Sequence, residues 1–398
     1  MSIIFLFFAI IFGYLVFLLI KKLKKYKQAY SSKTFFNAGM QAENLRKLDD
    51  FLLGEAKASD RKKILYIADF FEIAGGAESR IKSQIDYLQD HGWDCCILTQ
   101  YTKYVPLFET VNLHLNFLEP SFGEYLFEIV KKGKFDCVEF VFKGWKHISK
   151  INLDELKKTC RIGCFICNLT DMPDSLANKF DYRVSISERI GLNPICIRNW
   201  ITYQPEECWK FNHQTSALFI SRIDSEKLPT LKNFLDICEK YAITPIVAGP
   251  VQSNSFKVLR QLRRVPTKNQ LSVIKTIDFL KKNHNHILFV AGVGQVPLEA
   301  ISLGYPALVL THRKQSQLST FITVENINFL SEWNFVIKRC PVTEIIGNVD
   351  AFFEYLNKYQ DISKFIIPRE YLEQFGIETA MRKYLAIIDG STSNQIMG

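Results

Sequence analysis

The stretch HILFVAGVGQVPLEAISLGYPALVL, residues 286–310, is the most informative part of the sequence. Its first apolar run ends in Gly292-Val-Gly294, a helical pattern with Pro297 and Glu299 follows, and a second apolar run closes the segment. An apolar run, a glycine turn, a short helix and another apolar run are typical of a strand–helix–strand unit in a parallel sheet. The segment predicts an α/β fold. Its helix is mostly apolar, so the charged Glu299 within it needs a separate explanation.

The same pattern recurs in two series along the chain. The first series opens with KKILYIADF (62–70) and a glycine turn, and the second opens with SALFISRID (216–224). Further strands are predicted at 94–99, 135–142, 161–169, 181–187, 194–199, 243–250, 286–292 and 306–310, and helices at 230–241 and 270–283. We therefore expect two Rossmann-like, doubly wound domains that face a cleft, because ligands bind at the carboxyl ends of strands in such sheets. The predicted boundaries are 61–200 for the first domain, 201–215 for a linker, 216–385 for the second domain and 386–398 for a tail.

The N-terminal segment has the composition of a membrane anchor. Residues 3–20 form an uncharged apolar run of the length that a transmembrane helix needs, and five lysines follow it at 21–27. A cleaved signal peptide would carry its positive charges before the apolar run. The sequence predicts a single-pass anchor at 1–21 and a basic juxtamembrane stalk at 22–60. By the positive-inside rule we expect the N-terminus outside and everything after residue 21 in the cytoplasm, with the anchor in the cytoplasmic (inner) membrane.

Composition narrows the range of partners. The 398 residues carry a net charge of +9, and the basic group RQLRR (260–264) is either a solvated helix face or a contact for an anionic substrate or lipid headgroups. No aromatic interleaving accompanies these charges, so a nucleic-acid partner is not predicted. Among ten cysteines, only Cys160, Cys164 and Cys167 cluster, and no second cluster or His pair completes a metal site. We expect free, buried thiols and no metal.

The glycine turn in 286–310 has two interpretations. Gly292-Val-Gly294 begins like a dinucleotide fingerprint, but Pro297 replaces the third glycine, so the match is partial. Glycines allow close approach of a ligand, and the free N–H groups of a first helical turn, which Pro297 suits, favour an anion. The candidate ligand-binding residues here are Gly294, Gln295, Val296 and Pro297, with Gly249 at the end of another predicted strand. The alternative is a tight strand-to-helix turn without a ligand.

Three charged side chains stand near predicted strand ends. Glu299 could accept hydrogen bonds from vicinal hydroxyls, or it could interact favourably with the helix dipole. Arg222 and Lys227, in SRIDSEKLP, could neutralise a diphosphate and stabilise the charge that builds up as it leaves, or they could be solvated surface cations. Sequence position alone leaves both alternatives open for each residue.

Taken together, these motifs resemble the GT-B glycosyltransferases, and most of all the nucleotide-sugar-dependent family 4. The similarity covers about residues 62–340: a first strand with its GG loop and helix, VSISERI and PICIRNWI late in the first domain, LFISRIDSEK, and VPLEAISLGYPALV. The resemblance implies that Arg222 and Lys227 are catalytic and bind the donor diphosphate. It also implies that Glu299 binds the ribose and that Gly75 and Gly76 form a loop near the transferred sugar.

The resemblance also implies a reaction. The expected enzyme is a retaining, metal-independent hexosyltransferase without a cofactor, in which two cations act in place of a divalent ion and the departing diphosphate takes the acceptor proton. Three family features are missing: Ala291 stands where a second Glu is common, Leu228 where a Gly follows the lysine, and CNLTD (167–171) where a His is frequent.

The function predicted from the sequence is transfer of a sugar from a nucleoside-diphosphate sugar to a lipid-linked or membrane-bound glycan. Surface polysaccharide synthesis (capsule, O-antigen or lipopolysaccharide) is the expected setting. One alternative is a catalytically degenerate, glycosyltransferase-like scaffold, which Ala291 and the missing His would suit. The other is a GT-B-fold nucleotide-sugar epimerase, whose soluble substrate would not need an anchor.

Overall fold

The computed structural model describes residues 38–55, 61–68, 76–99, 110–117, 121–141, 148–166, 172–187, 195–201, 209–252, 255–271, 276–312, 318–337, 340 and 342–390. The predicted membrane segment 3–20 lies outside these residues. Within the described ranges, no helix is both long enough and apolar enough to cross a bilayer.

In its described residues the chain forms two compact units, one within 1–73 and 92–162 and the other within 74–91 and 163–398. It contains two mainly parallel sheets, so the predicted α/β class is confirmed. The first sheet has the strand order β3-β2-β1-β4-β5-β6-β7. Its strands are β1 (Lys62–Ala68), β2 (Trp93–Thr99), β3 (Val111–His114), β4 (Cys137–Val141), β5 (Arg161–Ile166), β6 (Tyr182–Ser185) and β7 (Ile195–Cys196).

The second sheet lies wholly in the second unit and has the order β10-β9-β8-β11-β12-β13. Its strands pair in parallel except for β12 with β13, which are antiparallel. Its strands are β8 (Ser216–Ile220), β9 (Thr244–Ala248), β10 (Gln270–Leu271), β11 (Ile287–Gly292), β12 (Ala307–Val309) and β13 (Thr320–Phe321).

Thirteen α-helices occur in the described part of the chain, and several short 3₁₀ turns join them. They are α1 (Ala38–Glu55), α2 (Gly76–Asp90), α3 (Phe122–Gly133), α4 (Leu153–Leu156), α5 (Asp174–Ala177), α6 (Leu228–Lys240), α7 (Phe256–Leu262), α8 (Thr276–Lys282), α9 (Gln295–Ser302), α10 (Ile327–Glu332), α11 (Val349–Tyr359), α12 (Arg369–Leu372) and α13 (Ile377–Ile388).

The central strands could be predicted from the sequence because a central parallel strand is buried on both faces. Every residue of β11 is buried, as are all residues of β4. Such strands appear in a sequence as unbroken apolar runs instead of alternating patterns. The chain's many phenylalanines extend this core in the second unit, where Phe289, Phe321, Phe352 and Phe365 pack ring against ring.

One predicted helix is wrong in part. The sequence pattern predicted a single helix over 270–283, but Gln270 and Leu271 form β10, and α8 begins only at Thr276. The two residues pair with the end of β9, so sheet pairing there prevails over the helical spacing of the apolar side chains.

In the first unit, α1 covers the edge of the sheet. Asn44, almost fully buried, donates from Nδ2 to the His114 carbonyl oxygen at 2.6 Å and accepts from the His114 N–H at 3.1 Å. An amide side chain thus takes the place of a neighbouring strand at the end of β3, which protects an otherwise exposed edge. Leu48 of the same helix is fully buried beneath it.

The eight described cysteines are free thiols, and all but Cys196 are buried. The prediction of free, buried thiols is confirmed for seven of these eight, whereas Cys196 is free but only partly buried. Among the described residues, no group of His, Cys, Asp or Glu side chains is arranged to hold a metal ion. Cys167, part of the only sequence cluster, lies outside the described residues.

Candidate functional site

The second sheet changes its direction of growth between β8 and β11. The chain passes from β8 to β9 on one side, whereas β11 pairs in parallel with the other side of β8. In doubly wound sheets, the carboxyl ends of two such strands diverge into loops on opposite faces and leave a crevice that binds ligands. The loop after β8 and the turn after β11 are therefore where a site is expected in this unit.

Arg222 and Lys227 both lie in the loop after β8. The Ser221 N–H donates to the Ala248 carbonyl oxygen at 3.1 Å and the Ile223 N–H donates to the Pro250 carbonyl oxygen at 2.9 Å, so the loop is fixed to the end of β9 on both sides of Arg222. No hydrogen bond or ion pair joins the Arg222 side chain to another described residue. The guanidinium is therefore available to an anion at this edge.

Lys227 is held by its backbone at the start of α6. Its N–H donates to Asp224 Oδ1 at 2.9 Å, and its carbonyl oxygen accepts from the Thr230 hydroxyl at 2.6 Å. The side chain is only 17% exposed, and its Nζ lies 3.6 Å from an exposed Glu226 carboxylate. A fixed backbone with a weakly engaged ammonium group is suited to binding a phosphate as a point charge.

Gly249 allows β9 to approach this loop closely. Its φ is +145°, and a Cβ atom there would lie 1.8 Å from the Ser221 carbonyl oxygen. Only glycine avoids both the backbone strain and the collision. Gly249 thus shapes the backbone next to Arg222, and its contact with a ligand stays a prediction.

The turn after β11 is also built on glycine. Gly294 caps α9 with φ +69°, and its N–H donates to the Phe335 carbonyl oxygen at 3.1 Å. A Cβ on Gly292 would lie 2.8 Å from Val296 Cγ1, so the valine side chain packs onto this glycine. The N–H of Gly294 is already engaged, and the turn presents the amides of the next two residues instead.

The next three side chains make contacts inside the unit and are not free for a ligand. They are those of Gln295, Val296 and Pro297. Gln295 Nε2 donates to the Trp200 carbonyl oxygen at 2.7 Å, and Pro297 is buried. What remains for a ligand is the backbone: first-turn amides have no intrahelical acceptor, and Pro297 has no N–H. Gln295 and Val296 can offer amides to an anion, whereas Pro297 only supports the turn.

Glu299 occupies the second turn of α9, since the first turn contains no acidic residue. This position weakens the explanation by the helix dipole, which acts within the first turn. Burial raises the pKa of the Glu299 carboxyl from 4.5 to about 7, and a hydrogen bond from the Thr276 side chain opposes that rise. A partly buried carboxylate with a raised pKa, beside a sheet's ligand-binding edge, is typical of a binding site.

The pH dependence of stability should report on Glu299. Its folded pKa of about 7 exceeds the ordinary 4.5, so the native state holds the proton more tightly. The stability contribution is present below about pH 4.5 and is lost as the pH rises to about 7, on the order of 3 kcal/mol at ~1.4 kcal/mol per pKa unit. Glu299→Gln should remove this loss, as measured by urea unfolding at pH 5 and pH 8. The control is Glu354→Gln, at an exposed position of α11; parallel pH profiles for wild type and Glu299→Gln would contradict the expectation.

The remaining predicted residues are placed less completely. Gly76 is the first residue of α2, and Gly75 lies outside the described residues, as does CNLTD (167–171). Ala291, which stands where the resembled family commonly has a Glu, is fully buried in β11 with strands on both sides. The structure therefore places no second carboxylate at this point of the site.

Two side chains near these elements were not predicted. Thr276, which bonds Glu299, begins a helix whose start the sequence misplaced. Arg80 of α2 is nearly buried between the rings of Trp200 and Phe165 and donates to the Ile197 carbonyl oxygen at 3.0 Å. Its position four residues after Gly76 on an amphipathic helix gave no signal, because a lone Arg usually lies on a solvated face.

No protein-family model matches the chain, and no curated protein matches its sequence. Solved structures do match. A glycosyltransferase from Rickettsia africae ESF-5 is 14% identical with a TM-score of 0.59, over 84% of this chain and 100% of that one. Anabaena Alr3699/HepE in complex with UDP and glucose is also 14% identical, with a TM-score of 0.57 over 83% and 100% of the two chains.

A third match is an alpha-glucosyltransferase in complex with UDP and a 13-mer DNA containing a HMU base. It is 12% identical with a TM-score of 0.54, over 83% of this chain and 100% of that one. Identities this low show a shared fold, and a fold hosts many functions. The chain therefore has the fold of GT-B glycosyltransferases, while membership of family 4 stays a prediction.

Proposed function

We propose that this protein is a glycosyltransferase that moves a sugar from a nucleoside-diphosphate sugar to a membrane-associated acceptor. The observation that carries the proposal is the placement of Arg222 and Lys227 after β8 and of Glu299 after the adjacent, parallel β11. The two cations at this edge suit the two phosphates of such a donor, and the carboxylate suits its ribose hydroxyls. The solved structures that share the fold include complexes with UDP, which supports UDP as the first probe.

The proposed roles follow from charge. Arg222 and Lys227 bind the diphosphate and stabilise the negative charge that grows on it as the bond to the sugar breaks. The Gln295 and Val296 amides add dipoles aimed at the same anion. Glu299 accepts hydrogen bonds from the two ribose hydroxyls. With two cations present, we propose that the leaving group needs no metal ion.

In the proposed reaction, the acceptor attacks from the face on which the diphosphate leaves, so that the anomeric configuration is retained. The leaving diphosphate oxygen takes the acceptor proton. We further propose that the apolar segment 3–20 anchors the chain in the cytoplasmic membrane and that the product belongs to a surface polysaccharide. The apolar run followed by lysines supports the anchor.

Binding of UDP by the full-length protein tests the donor assignment. Calorimetric titration should show affinity that increases as the pH rises through about 7, because ribose hydroxyls bond best to an ionised Glu299. Glu299→Gln should weaken binding roughly tenfold or more, since a hydrogen bond to a charged group contributes about 1.5–3 kcal/mol. The exposed Glu354→Gln variant should bind like wild type.

The same titrations address the scaffold alternative, which the buried Ala291 favours. If neither UDP nor GDP binds the wild-type protein, and neither raises its melting temperature, the donor assignment fails and a non-catalytic role gains support. Binding of UDP without any release of sugar from a panel of UDP-sugars would support a degenerate site that has kept its nucleotide.

A further inference from the structure

The outer face of α7 exposes apolar side chains. Phe256, the first residue of the helix, is 70% exposed and Leu259 is 40% exposed, and Val251 just before the helix is 47% exposed. These are three of the six exposed large hydrophobic residues in the described part of the chain. Exposure of most of a Phe side chain on a seven-residue helix is unfavourable in water, and its exposed neighbours enlarge the apolar patch.

Helical geometry separates this face from the core. Val258 is fully buried and Leu262 nearly so, and together they attach the helix to the domain. At 100° per residue, Phe256, Arg260 and Arg263 lie on the side opposite to those two positions. One side of the helix therefore packs on the core. The opposite side, which faces solvent, carries an aromatic ring together with guanidinium groups.

The charges around this face have one sign. Residues 251–270 contain five Lys or Arg and no Asp or Glu. Among the described residues, Arg264 is paired with Asp236 at 2.9 Å and Glu239 at 2.6 Å on α6. Lys257, Arg260 and Arg263 make no ion pair with any residue in the described ranges. The sequence left RQLRR (260–264) open between a solvated face and an anion contact, and the structure adds the exposed apolar side chains.

The patch also adjoins the candidate site. The Gln252 N–H donates to the Ile223 carbonyl oxygen at 2.9 Å, and Ile223 bridges to Val251. The segment between β9 and α7 is therefore paired with the loop that carries Arg222. Whatever binds Val251 and Phe256 is brought to the same edge of the sheet as the proposed diphosphate contacts.

We propose that Val251, Phe256, Leu259, Lys257, Arg260 and Arg263 form a peripheral binding surface for an anionic lipid bilayer. Charge complementarity carries the choice: apolar groups enter the headgroup region while unneutralised cations meet anionic lipids, and a nucleic-acid groove would call for stacked aromatic rings. The proposal goes beyond the proposed function and does not require transfer activity. It gives the second unit its own membrane contact, so that the edge with Arg222 is held near a lipid-borne acceptor.

Photo-crosslinking of the full-length protein in bilayer nanodiscs tests this contact. A benzophenone amino acid in place of Phe256 should form lipid adducts in discs with 30% phosphatidylglycerol, at a yield at least ~5-fold above that in pure phosphatidylcholine, since each cation near an anionic surface changes affinity about fivefold. The matched control carries the same crosslinker at Ile346, which is 83% exposed and has no basic neighbour in residues 342–350. Its yield should be low and independent of lipid charge.

A double variant, Arg260→Gln with Arg263→Gln, separates charge from mere proximity. It should reduce the adduct at position 256 by at least ~5-fold in anionic discs while UDP affinity stays at the wild-type value, because neither side chain is part of the proposed donor site. Equal yields at positions 256 and 346, or a yield unaffected by the double variant, would overturn the proposal. Adducts at position 256 to a second protein chain instead of lipid would also overturn it and would identify the patch as a self-association surface.

Discussion

Replacement of Lys227 by alanine should lower the turnover of the donor by about 10²–10³-fold, the usual cost of losing one group that stabilises developing charge. The diphosphate gains negative charge as its bond to the sugar breaks, so the loss should fall mainly on kcat, with a smaller effect on KM. The measurement is the initial rate of UDP release from the active UDP-sugar.

The matched control is Lys232→Ala on α6, the helix that begins directly after Lys227. Lys232 is 54% exposed and pairs with Asp236 at 2.9 Å one turn away, so its removal should leave the rate unchanged. Lys227 itself makes only a 3.6 Å contact with an exposed Glu226, and its loss should cost little stability. A folded Lys227→Ala protein with kcat within threefold of wild type would rule out the proposed role.

The sequence was sufficient to predict those strands and turns that depend on the local pattern of apolar residues and glycines. The runs that became β8 and β11 are almost continuously apolar because these strands are largely buried, and Gly249 and Gly294 follow closely on the ends of β9 and β11. The order of strands then places the loop with Arg222 and Lys227 beside the turn before Glu299, so the three predicted residues share one edge.

What the sequence did not predict depends on contacts between distant residues. Gln295 was expected at a donor site, yet its side chain bonds the Trp200 carbonyl oxygen, 95 residues earlier in the chain. Asn44 completes an edge strand 70 residues away. Thr276 follows a short strand whose existence depends on pairing with β9. Local spacing contains no information about such partners.

The shape of the loop around Arg222 can be tested separately from its charge. Gly249→Ala would place a Cβ 1.8 Å from the Ser221 carbonyl oxygen at a φ of +145°. That oxygen is part of a backbone held to β9 by hydrogen bonds on both sides of Arg222, so it cannot move away without breaking them. We expect a loss of roughly 3–5 kcal/mol in the free energy of unfolding, measured in urea, because strain and collision add.

Gly294→Ala is the control, because it introduces backbone strain at a positive φ without a collision between the new Cβ and another atom. Its φ of +69° is also unfavourable for alanine, but no atom lies within 4 Å of the Cβ position. Strain alone costs about 1–3 kcal/mol, so Gly249→Ala should be less stable than Gly294→Ala by at least ~2 kcal/mol. Equal losses in the two variants would mean that the Ser221–Arg222 backbone yields easily. In that case Gly249 would not fix the position of Arg222, and the geometry on which the diphosphate contact depends would have to come from the ligand itself.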